Sequence, residues 1–159
     1  MKQITEQEAY LRLAALCAQA EHCQYEMQEK MRRWELSEEV QARVMQRLVT
    51  ERYVDDERYA RAFIKDKVRY NKWGRRKVEQ ALWAKHIDED IRQRVLDEVD
   101  DEEYIAVLRP LLQQKRKSTK ANSDYELNGK LIKFAMSRGF TMDIIKQCIN
   151  VTDEDEFLD

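Results

Sequence analysis

Glycine and proline, the residues that most often interrupt regular structure, are scarce: the 159-residue chain contains three glycines and one proline. All-β folds need frequent tight turns, and those turns depend on the special backbone angles of these two residues. Their scarcity therefore disfavours a β-sandwich or β-barrel and favours helices joined by short connections.

Long apolar runs are also missing. No stretch approaches the ~18 consecutive apolar residues that span a membrane, and the first residues do not form the apolar core of a signal peptide. The sequence therefore predicts a cytoplasmic protein without a membrane segment. The cysteines, Cys17, Cys23 and Cys148, are odd in number and form no C-x-x-C pair, so we expect free thiols in a reducing compartment.

The composition combines 38% charged with 43% hydrophobic residues, and the mean hydropathy is −0.81. Such a chain is too apolar for a disordered polyampholyte and too polar for the thick core of a sheet protein. This combination of charged and hydrophobic residues is typical of thin layers of amphipathic helices, each with one face exposed to solvent.

Apolar residues recur three times in the same spacing. The first two sets have steps of 4, 5, 4, 4 and 4 residues, and the third has steps of 4, 5, 4 and 4. Each set predicts two helices with a tight turn at the step of five, and a further amphipathic stretch precedes it. The sets are Met27, Met31, Leu36, Val40, Val44 and Leu48; Val78, Leu82, Ile87, Ile91, Val95 and Val99; and Leu131, Ala135, Phe140, Ile144 and Cys148.

This repetition predicts an all-α fold of three tandem three-helix repeats that form an elongated, curved helical array. The expected repeats span residues 5–50, 55–100 and 101–150, and an acidic tail follows at 151–159. Gly139 lies in the turn of the third repeat, where we expect a positive φ; Glu35 and His86 at the aligned positions must tolerate that geometry or avoid it. Pro110 predicts a kink or a break near Arg109.

Four segments resemble motifs of the RecX family. Residues 53–63 (YVDDERYARAF) resemble the start of that family's second repeat, and residues 26–31 (EMQEKM) resemble a segment of its first repeat. Gly74 followed by Val78, Leu82 and Ile87 resembles the family segment that comes after the start of the second repeat. Residues 137–140 (SRGF) resemble its R-R-G-F turn, while Cys23, His86 and Ser137 depart from the family pattern. The resemblance assigns structural roles to Asp55, Asp56, Ala60, Phe63, Gly74, Leu82, Ile87, Gly139 and Phe140.

The resemblance to the RecX family implies a regulatory protein without enzymatic activity. It would bind the RecA recombinase, above all the RecA filament on single-stranded DNA, and limit filament growth, ATP hydrolysis and strand exchange. A curved helical array would suit the groove of such a filament. The family also implies a role in DNA repair and recombination. We expect a monomer that needs no cofactor.

Charge is strongly segregated although the net charge is only −2. Residues 61–85 hold nine basic and two acidic side chains (+7), residues 88–103 hold two and nine (−7), and residues 109–133 hold seven and two (+5). Basic clusters of this kind can contact phosphates or an acidic protein surface. The candidate RecA- or DNA-binding residues are Arg61, Lys65, Arg69, Lys72, Trp73, Arg75, Arg76, Lys77, Lys115, Arg116, Lys117 and Lys120.

Details of the second repeat sharpen this hypothesis. Arg61, Lys65 and Arg69 lie four residues apart on one helix face, and residues 75–77 begin a helix whose free amide donors would add positive potential. Among the nearby aromatic residues, Trp73 is expected to be the most exposed because it lies in the loop before Gly74. Tyr70 and Trp83 are expected to pack between repeats rather than stack on bases.

Several alternatives stay open at this stage. The basic residues could form a solvated face paired with the acidic third helix of the same repeat. The chain could instead be a helix-turn-helix protein that binds single- or double-stranded DNA directly, although an acidic third helix would be repelled by phosphate. It could also be a helical-repeat scaffold for an unrelated partner.

The sequence offers little for catalysis or metal binding. It has two histidines, no glycine-rich phosphate loop and no serine-hydrolase or metalloprotease motif, which argues against an enzyme. Cys17, His22 and Cys23 do not have the spacing of a structural zinc site. The acidic residues 55–57 stand at a predicted helix start, where carboxylates cap amide donors, so we expect no metal there.

Overall fold

The computed structural model describes residues 3–149, and those residues contain nine α-helices and no strand. The predicted all-α fold is confirmed, while the acidic tail predicted at 151–159 lies outside the described residues. The helices are α1 (Glu6–Gln19), α2 (Gln24–Arg33), α3 (Glu38–Thr50), α4 (Asp56–Arg69), α5 (Arg75–Ala84), α6 (Glu89–Leu96), α7 (Asp101–Ser118), α8 (Asp124–Ser137) and α9 (Met142–Cys148).

The step of five in the apolar spacing corresponds to one turn that occurs three times. Glu35, His86 and Gly139 have φ angles of 57°, 58° and 91°, so all three adopt the left-handed conformation expected at Gly139. The amide of the next residue donates to a carbonyl five residues back in each case: Leu36 to Met31 (3.3 Å), Ile87 to Leu82 (3.2 Å) and Phe140 to Ala135 (3.2 Å). This is the Schellman motif that ends a helix with an apolar residue turned inward.

The residues after the left-handed position enter the core. Leu36, Ile87 and Phe140 are 8%, 1% and 1% exposed, which confirms the inward direction that the apolar spacing predicts. A non-glycine residue in the left-handed conformation costs about 1–2 kcal/mol. Burial of a large apolar side chain contributes about 1.5–3 kcal/mol and offsets that cost at Glu35 and His86.

The chain forms two compact units. The first consists of Met1–Phe63 and Leu82–Val95, and the second of Ile64–Ala81 and Leu96–Asp159. Both α4 and α5 therefore contribute to each unit. The repeat boundaries at 5–50, 55–100 and 101–150 remain a prediction.

In the first unit, α3 packs against both α1 and α2. The buried cluster takes residues from all three helices and from the segment that leads to α4: Ala9, Tyr10, Leu13, Ala14, Met27, Met31, Leu36, Val44, Leu48 and Val54. The start of α2 also contacts the α5–α6 turn, where Lys85 Nζ lies 3.1 Å from Glu26 Oε2 and the rings of Tyr25 and His86 stack with centroids 4.1 Å apart.

In the second unit, α7, α8 and α9 pack against one another. Helix α7 runs uninterrupted through Pro110, so of the kink or break expected near Arg109 the break does not occur, and the kink stays a prediction. Pro110 is exposed, whereas Leu108 and Leu112 on either side of it are 0% and 3% exposed. Burial of these flanking residues holds the helix together although proline removes one backbone hydrogen bond.

Two glycines bring the start of α5 against the α8–α9 turn in this second unit. The Gly74 amide donates to Arg138 O (2.8 Å), and the Arg76 amide donates to Gly139 O (3.0 Å). A Cβ on Gly74 would overlap the backbone of Phe140, and a Cβ on Gly139 would lie 2.5 Å from Lys77 N. Backbone therefore meets backbone at this point, which we call the glycine junction.

Phe63, to which the family resemblance assigns a structural role, lies at the edge of the inward face of α4. Ala60, Ile64 and Val68 are at most 4% exposed, whereas Phe63 is half-buried and lies beside Tyr59 with ring centroids 5.7 Å apart. Of the residues in the family-like segment, Ala60 therefore enters the core and Phe63 lies at its edge.

Replacement of Ile64 by alanine should destabilise the protein more than replacement of Phe63. Ile64→Ala leaves a cavity in a filled core and should cost about 2–5 kcal/mol, whereas Phe63→Ala removes a partly solvated ring. Urea denaturation of both variants measures the difference. A larger loss for Phe63→Ala would contradict this assignment of the α4 face.

Gly139→Ala should destabilise the second unit by about 2–4 kcal/mol, because an alanine would be strained at φ 91° and would overlap Lys77. Glu35→Gly at the matching turn is the control. It should change the free energy of unfolding by no more than about 1 kcal/mol, since glycine relieves the backbone strain but gains entropy when unfolded. Equal melting temperatures for Gly139→Ala and the parent protein would refute the junction.

Candidate binding surface

Most of the candidate basic residues are exposed, whereas Arg75 and Lys77 are partly buried, and the candidates differ in their partners. Arg61, Lys65 and Arg69 all lie on the solvent side of α4. Arg61 belongs to the first unit and pairs with Glu57 (3.4 Å), which also accepts a hydrogen bond from Arg94. The hydrogen bond from Arg94 lowers the pKa of Glu57, so this carboxylate stays charged at neutral pH. Arg61 is consequently part of a local ion-pair network.

Four of the candidates have no ionic partner. Within residues 3–149, no carboxylate oxygen lies within 4.0 Å of a cationic nitrogen of Lys65, Arg69, Lys72 or Arg76. All four are exposed, and all belong to the second unit. Cations in this state attract an external anion without first having to break an internal ion pair.

Arg75 differs from these four because an acidic residue already holds it. Its Nη2 lies 2.8 Å from Asp97 Oδ1, and its side chain is 29% exposed. Asp97 directly follows α6, which ends at Leu96, so Arg75 is paired with an acidic residue beside the third helix of its repeat rather than on that helix. Its neighbour Arg76 has no carboxylate partner among the described residues.

The amide donors at the start of α5 are not free, contrary to expectation. The Gly74 and Arg76 amides donate to carbonyls of the α8–α9 turn, so the helix start cannot offer these two donors to an anion. The prediction that free backbone amides at the start of α5 add to the positive potential is therefore wrong for these two amides. Positive potential at this point comes from side chains.

The prediction that Trp73 is the most exposed aromatic residue is also wrong. Its ring is half-buried and lies beside Lys67 Nζ and Lys77 Nζ, 5.4 and 4.8 Å from the ring centroid. Tyr70 and Trp83, expected to pack between repeats, are instead 78% and 68% exposed. Trp73 therefore fixes the positions of two cations rather than offering a free face to a base.

Lys115, Arg116, Lys117 and Lys120, the candidates of the third repeat, are all exposed at the end of α7 or just after it. Lys115 Nζ lies 4.9 Å from the centroid of the Phe134 ring on α8. Arg116 Nη2 donates to Asn128 Oδ1 (3.5 Å). Within residues 3–149, no carboxylate oxygen lies within 4.0 Å of a cationic nitrogen of any of these four residues.

Arg138 is a functional candidate that sequence reasoning missed. Its Cζ lies 5.2 Å from the centroid of Phe134, which Lys115 also approaches, and its carbonyl accepts the Gly74 amide. Arg138 thus links the basic end of α7 to the basic start of α5. The position of Arg138 directly before Gly139 was a signal present in the sequence. Only the glycine junction shows that Arg138 contacts the start of α5.

We define the second-unit cations as the exposed or half-exposed basic residues of this unit that have no carboxylate partner in the described chain. They lie on α4, in the α4–α5 loop, on α5, on α7 and just after it, and on α8. They are Lys65, Arg69, Lys72, Arg76, Lys77, Arg109, Lys115, Arg116, Lys117, Lys120, Lys133 and Arg138.

The acidic residues at the start of α4 act as caps. Asp55 Oδ1 accepts the Arg58 amide (3.0 Å), and Asp56 Oδ1 accepts the Gln24 amide (2.8 Å). No group of three metal-ligating side chains occurs among the described residues. Cys23 Sγ faces Lys85 O (3.9 Å), and burial raises the pKa of the Cys23 thiol to about 12, so this thiol stays protonated at neutral pH.

None of the helices described here is long and apolar enough to cross a membrane.

Comparison with known proteins gives consistent matches. Residues 55–96 match the family model of the second three-helix domain of RecX, and residues 101–149 match that of the third three-helix domain. The regulatory protein RecX of Bacillus cytotoxicus is 24% identical over 150 residues, covering 94% of this chain and 56% of the relative. That of Lactobacillus delbrueckii subsp. bulgaricus is 30% identical over 126 residues, covering 77% and 46%.

The chain thus spans about half the length of the curated relatives that it matches. Among solved structures, RecX from Lactobacillus salivarius aligns with a TM-score of 0.81 at 19% identity, covering 90% of this chain and 93% of that one. At this identity the structural match shows the fold, a helical repeat. The two family models together cover more than half of the chain, in the order in which its repeats occur, and the chain belongs to the RecX family of regulatory proteins.

Proposed function

We propose that this protein binds the RecA recombinase filament on single-stranded DNA and limits filament growth, ATP hydrolysis and strand exchange. Membership of the RecX family supports the choice of partner. The observation that carries the proposal is the concentration of second-unit cations, of which Lys65, Arg69, Lys72 and Arg76 are exposed and lack any carboxylate partner in the described chain.

A nucleoprotein filament suits these cations because it offers two kinds of anion. DNA phosphates attract basic residues independently of sequence, and acidic side chains of a protein attract them in the same way. Both attractions weaken as salt screens the charges. Inhibition of the recombinase should therefore decrease as ionic strength rises.

Binding alone can produce the proposed inhibition. A protein that occupies the filament or its growing end blocks addition of further protomers, and it need not transform any substrate. We therefore propose that the protein has no enzymatic activity of its own and acts at a stoichiometry set by the sites that it covers.

Direct reading of a DNA sequence is less well supported. In a helix-turn-helix protein the last helix of the unit enters the major groove with basic or amide side chains. In the second repeat that helix is α6, which begins with Glu89 and Asp90, both exposed. Their carboxylates would face phosphate at close range, so α6 is a poor recognition helix. A scaffold for an unrelated partner is the outcome if no recombinase is affected.

The first experiment measures steady-state ATP hydrolysis by a bacterial RecA on single-stranded DNA while this protein is titrated in at constant salt. We expect hydrolysis to fall, and a fall at substoichiometric amounts would indicate that growth at filament ends is blocked. If this protein is in several-fold excess over the RecA of its own bacterium and ATP hydrolysis is unchanged, the proposed function is contradicted.

Arg69→Glu combined with Arg76→Glu should weaken this inhibition. Two exposed charge contacts worth about 0.5–1 kcal/mol each correspond to about a five- to thirty-fold increase in the concentration that gives half-inhibition. The two residues lie in the second unit and have no ionic partner to lose.

Arg33→Glu combined with Arg52→Glu is the matched control. These arginines are exposed and belong to the first unit, and no carboxylate lies within 4.0 Å of them in the described residues. The control carries the same change in net charge but leaves the second-unit cations intact. The concentration of this variant that gives half-inhibition should therefore stay within about threefold of that of the parent protein. Equal losses in both double variants would show that overall charge, not the second-unit cations, is responsible.

A further inference from the structure

The largest exposed aromatic side chain of the first unit is Trp83, near the end of α5, with 68% of its surface in solvent. It lies at the edge of a shallow cleft of about 470 Å³, whose other lining residues all come from the α5–α6 segment of the same unit. They are Ala84, His86, Ile87, Asp88, Glu89 and Arg92.

The fold does not require an aromatic ring at this position. Trp83 takes part in the Schellman turn through its carbonyl, which accepts the His86 amide (2.9 Å). The equivalent carbonyls of Arg32 and Met136 accept the Glu35 and Gly139 amides in the same way (2.9 and 3.0 Å). Since arginine and methionine serve equally well at this position of the turn, the exposed indole has no role in forming it.

The carboxylates beside the ring are not neutralised. Asp88 and Glu89 are exposed, and no cationic nitrogen of residues 3–149 lies within 4.0 Å of their oxygens. Of the cations on the same segment, Lys85 pairs with Glu26 (3.1 Å), while Arg92 lines the cleft and donates to the Ile87 carbonyl (2.6 Å). The cleft therefore combines an open aromatic face with two carboxylates that pair with no cation of residues 3–149, and the guanidinium in its lining is held by a backbone carbonyl.

We propose that Trp83, Asp88 and Glu89 form a docking site for an arginine or lysine side chain on a protein partner. A guanidinium or ammonium group is attracted to the face of an indole ring, and a neighbouring carboxylate strengthens the attraction by pairing with the same cation. Tryptophan is also among the residues that most often dominate protein interfaces. The carboxylates repel phosphate, so a nucleic acid does not fit this site.

This inference goes beyond the proposed function, because its partner chemistry is opposite in sign to that of the second-unit cations. It does not depend on the recombinase. A protein surface that presents arginine beside apolar residues is the kind of partner that the site accepts.

The test uses a synthetic dodecapeptide of alternating alanine and arginine, with an alanine–glutamate dodecapeptide as the negative probe. Binding is followed by tryptophan fluorescence, as the difference between the parent protein and Trp83→Phe, which isolates the signal of this ring. We expect a saturable change with the arginine peptide and none with the glutamate peptide.

Glu89→Lys should weaken binding of the arginine peptide by about fivefold or more, because it removes one carboxylate and adds a repelling charge. Glu38→Lys is the matched control. Glu38 is exposed and is the first residue of α3, as Glu89 is of α6, but Arg32 occupies the position that corresponds to Trp83. The control should bind the peptide as the parent protein does.

Three results would overturn the proposal: no saturable fluorescence change assigned to Trp83, equal Trp83-assigned changes with both peptides, or equal affinities of Glu89→Lys and Glu38→Lys for the arginine peptide. Glu89→Gln removes the charge with less disturbance and replaces Glu89→Lys if circular dichroism shows that variant to be unfolded. Because the readout contains no recombinase, failure here leaves the ATP hydrolysis result intact, and failure of that assay leaves this one intact.

Discussion

The left-handed residue at the end of the second helix of each repeat is the constraint on which the fold depends. It reverses the chain within a few residues and turns the next apolar side chain, such as Phe140, into the core. Glu35 and His86 show that a side chain is tolerated at this position. Gly139 meets a stricter demand, because the backbone of Lys77 leaves no room for a Cβ. Glycine is needed in the third repeat for contact with a neighbouring segment as well as for its φ angle.

That contact decides how charge is presented in the second unit. The glycine junction uses the Gly74 and Arg76 amides to satisfy carbonyls at the end of α8, which would otherwise lack donors. Opposite ends of two helix dipoles thus meet, and their partial charges largely cancel. What remains available to a ligand is side-chain charge, held in place partly by aromatic rings: Trp73 lies beside Lys67 and Lys77, and Phe134 lies beside Lys115 and Arg138.

Properties that follow from nearby residues were predictable, and properties that follow from distant contacts were not. The spacing of Met31 and Leu36, or of Leu82 and Ile87, specifies a turn because both residues must face one core. Trp73 lies in a loop without periodicity, so its half-buried ring beside Lys67 and Lys77 is visible only in the packed structure. The contact of Arg138 depends on Gly74, which is 64 residues away in sequence. Pro110 does not end α7 as one of the two expectations had it, because Leu108 and Leu112 on either side are buried while proline removes only one hydrogen bond. The spacing of residues along the chain therefore predicts the helices and turns. Which side chains come together on a surface can be determined only from the packed structure.

The low net charge gains a physical meaning once the charged residues are assigned to their units. A chain with this many unpaired cations and no compensating acids would bind nucleic acid wherever it met it, because non-specific affinity follows overall charge. The acidic residues around Trp83 and at the start of α7 reduce that long-range attraction without pairing with Arg69 or Arg76. Attraction is thereby confined to short range, where screening is weakest and where the partner must match the arrangement of individual charges. For the proposed function, charge segregation of this kind would favour a structured anionic partner over free nucleic acid, without any base-reading helix.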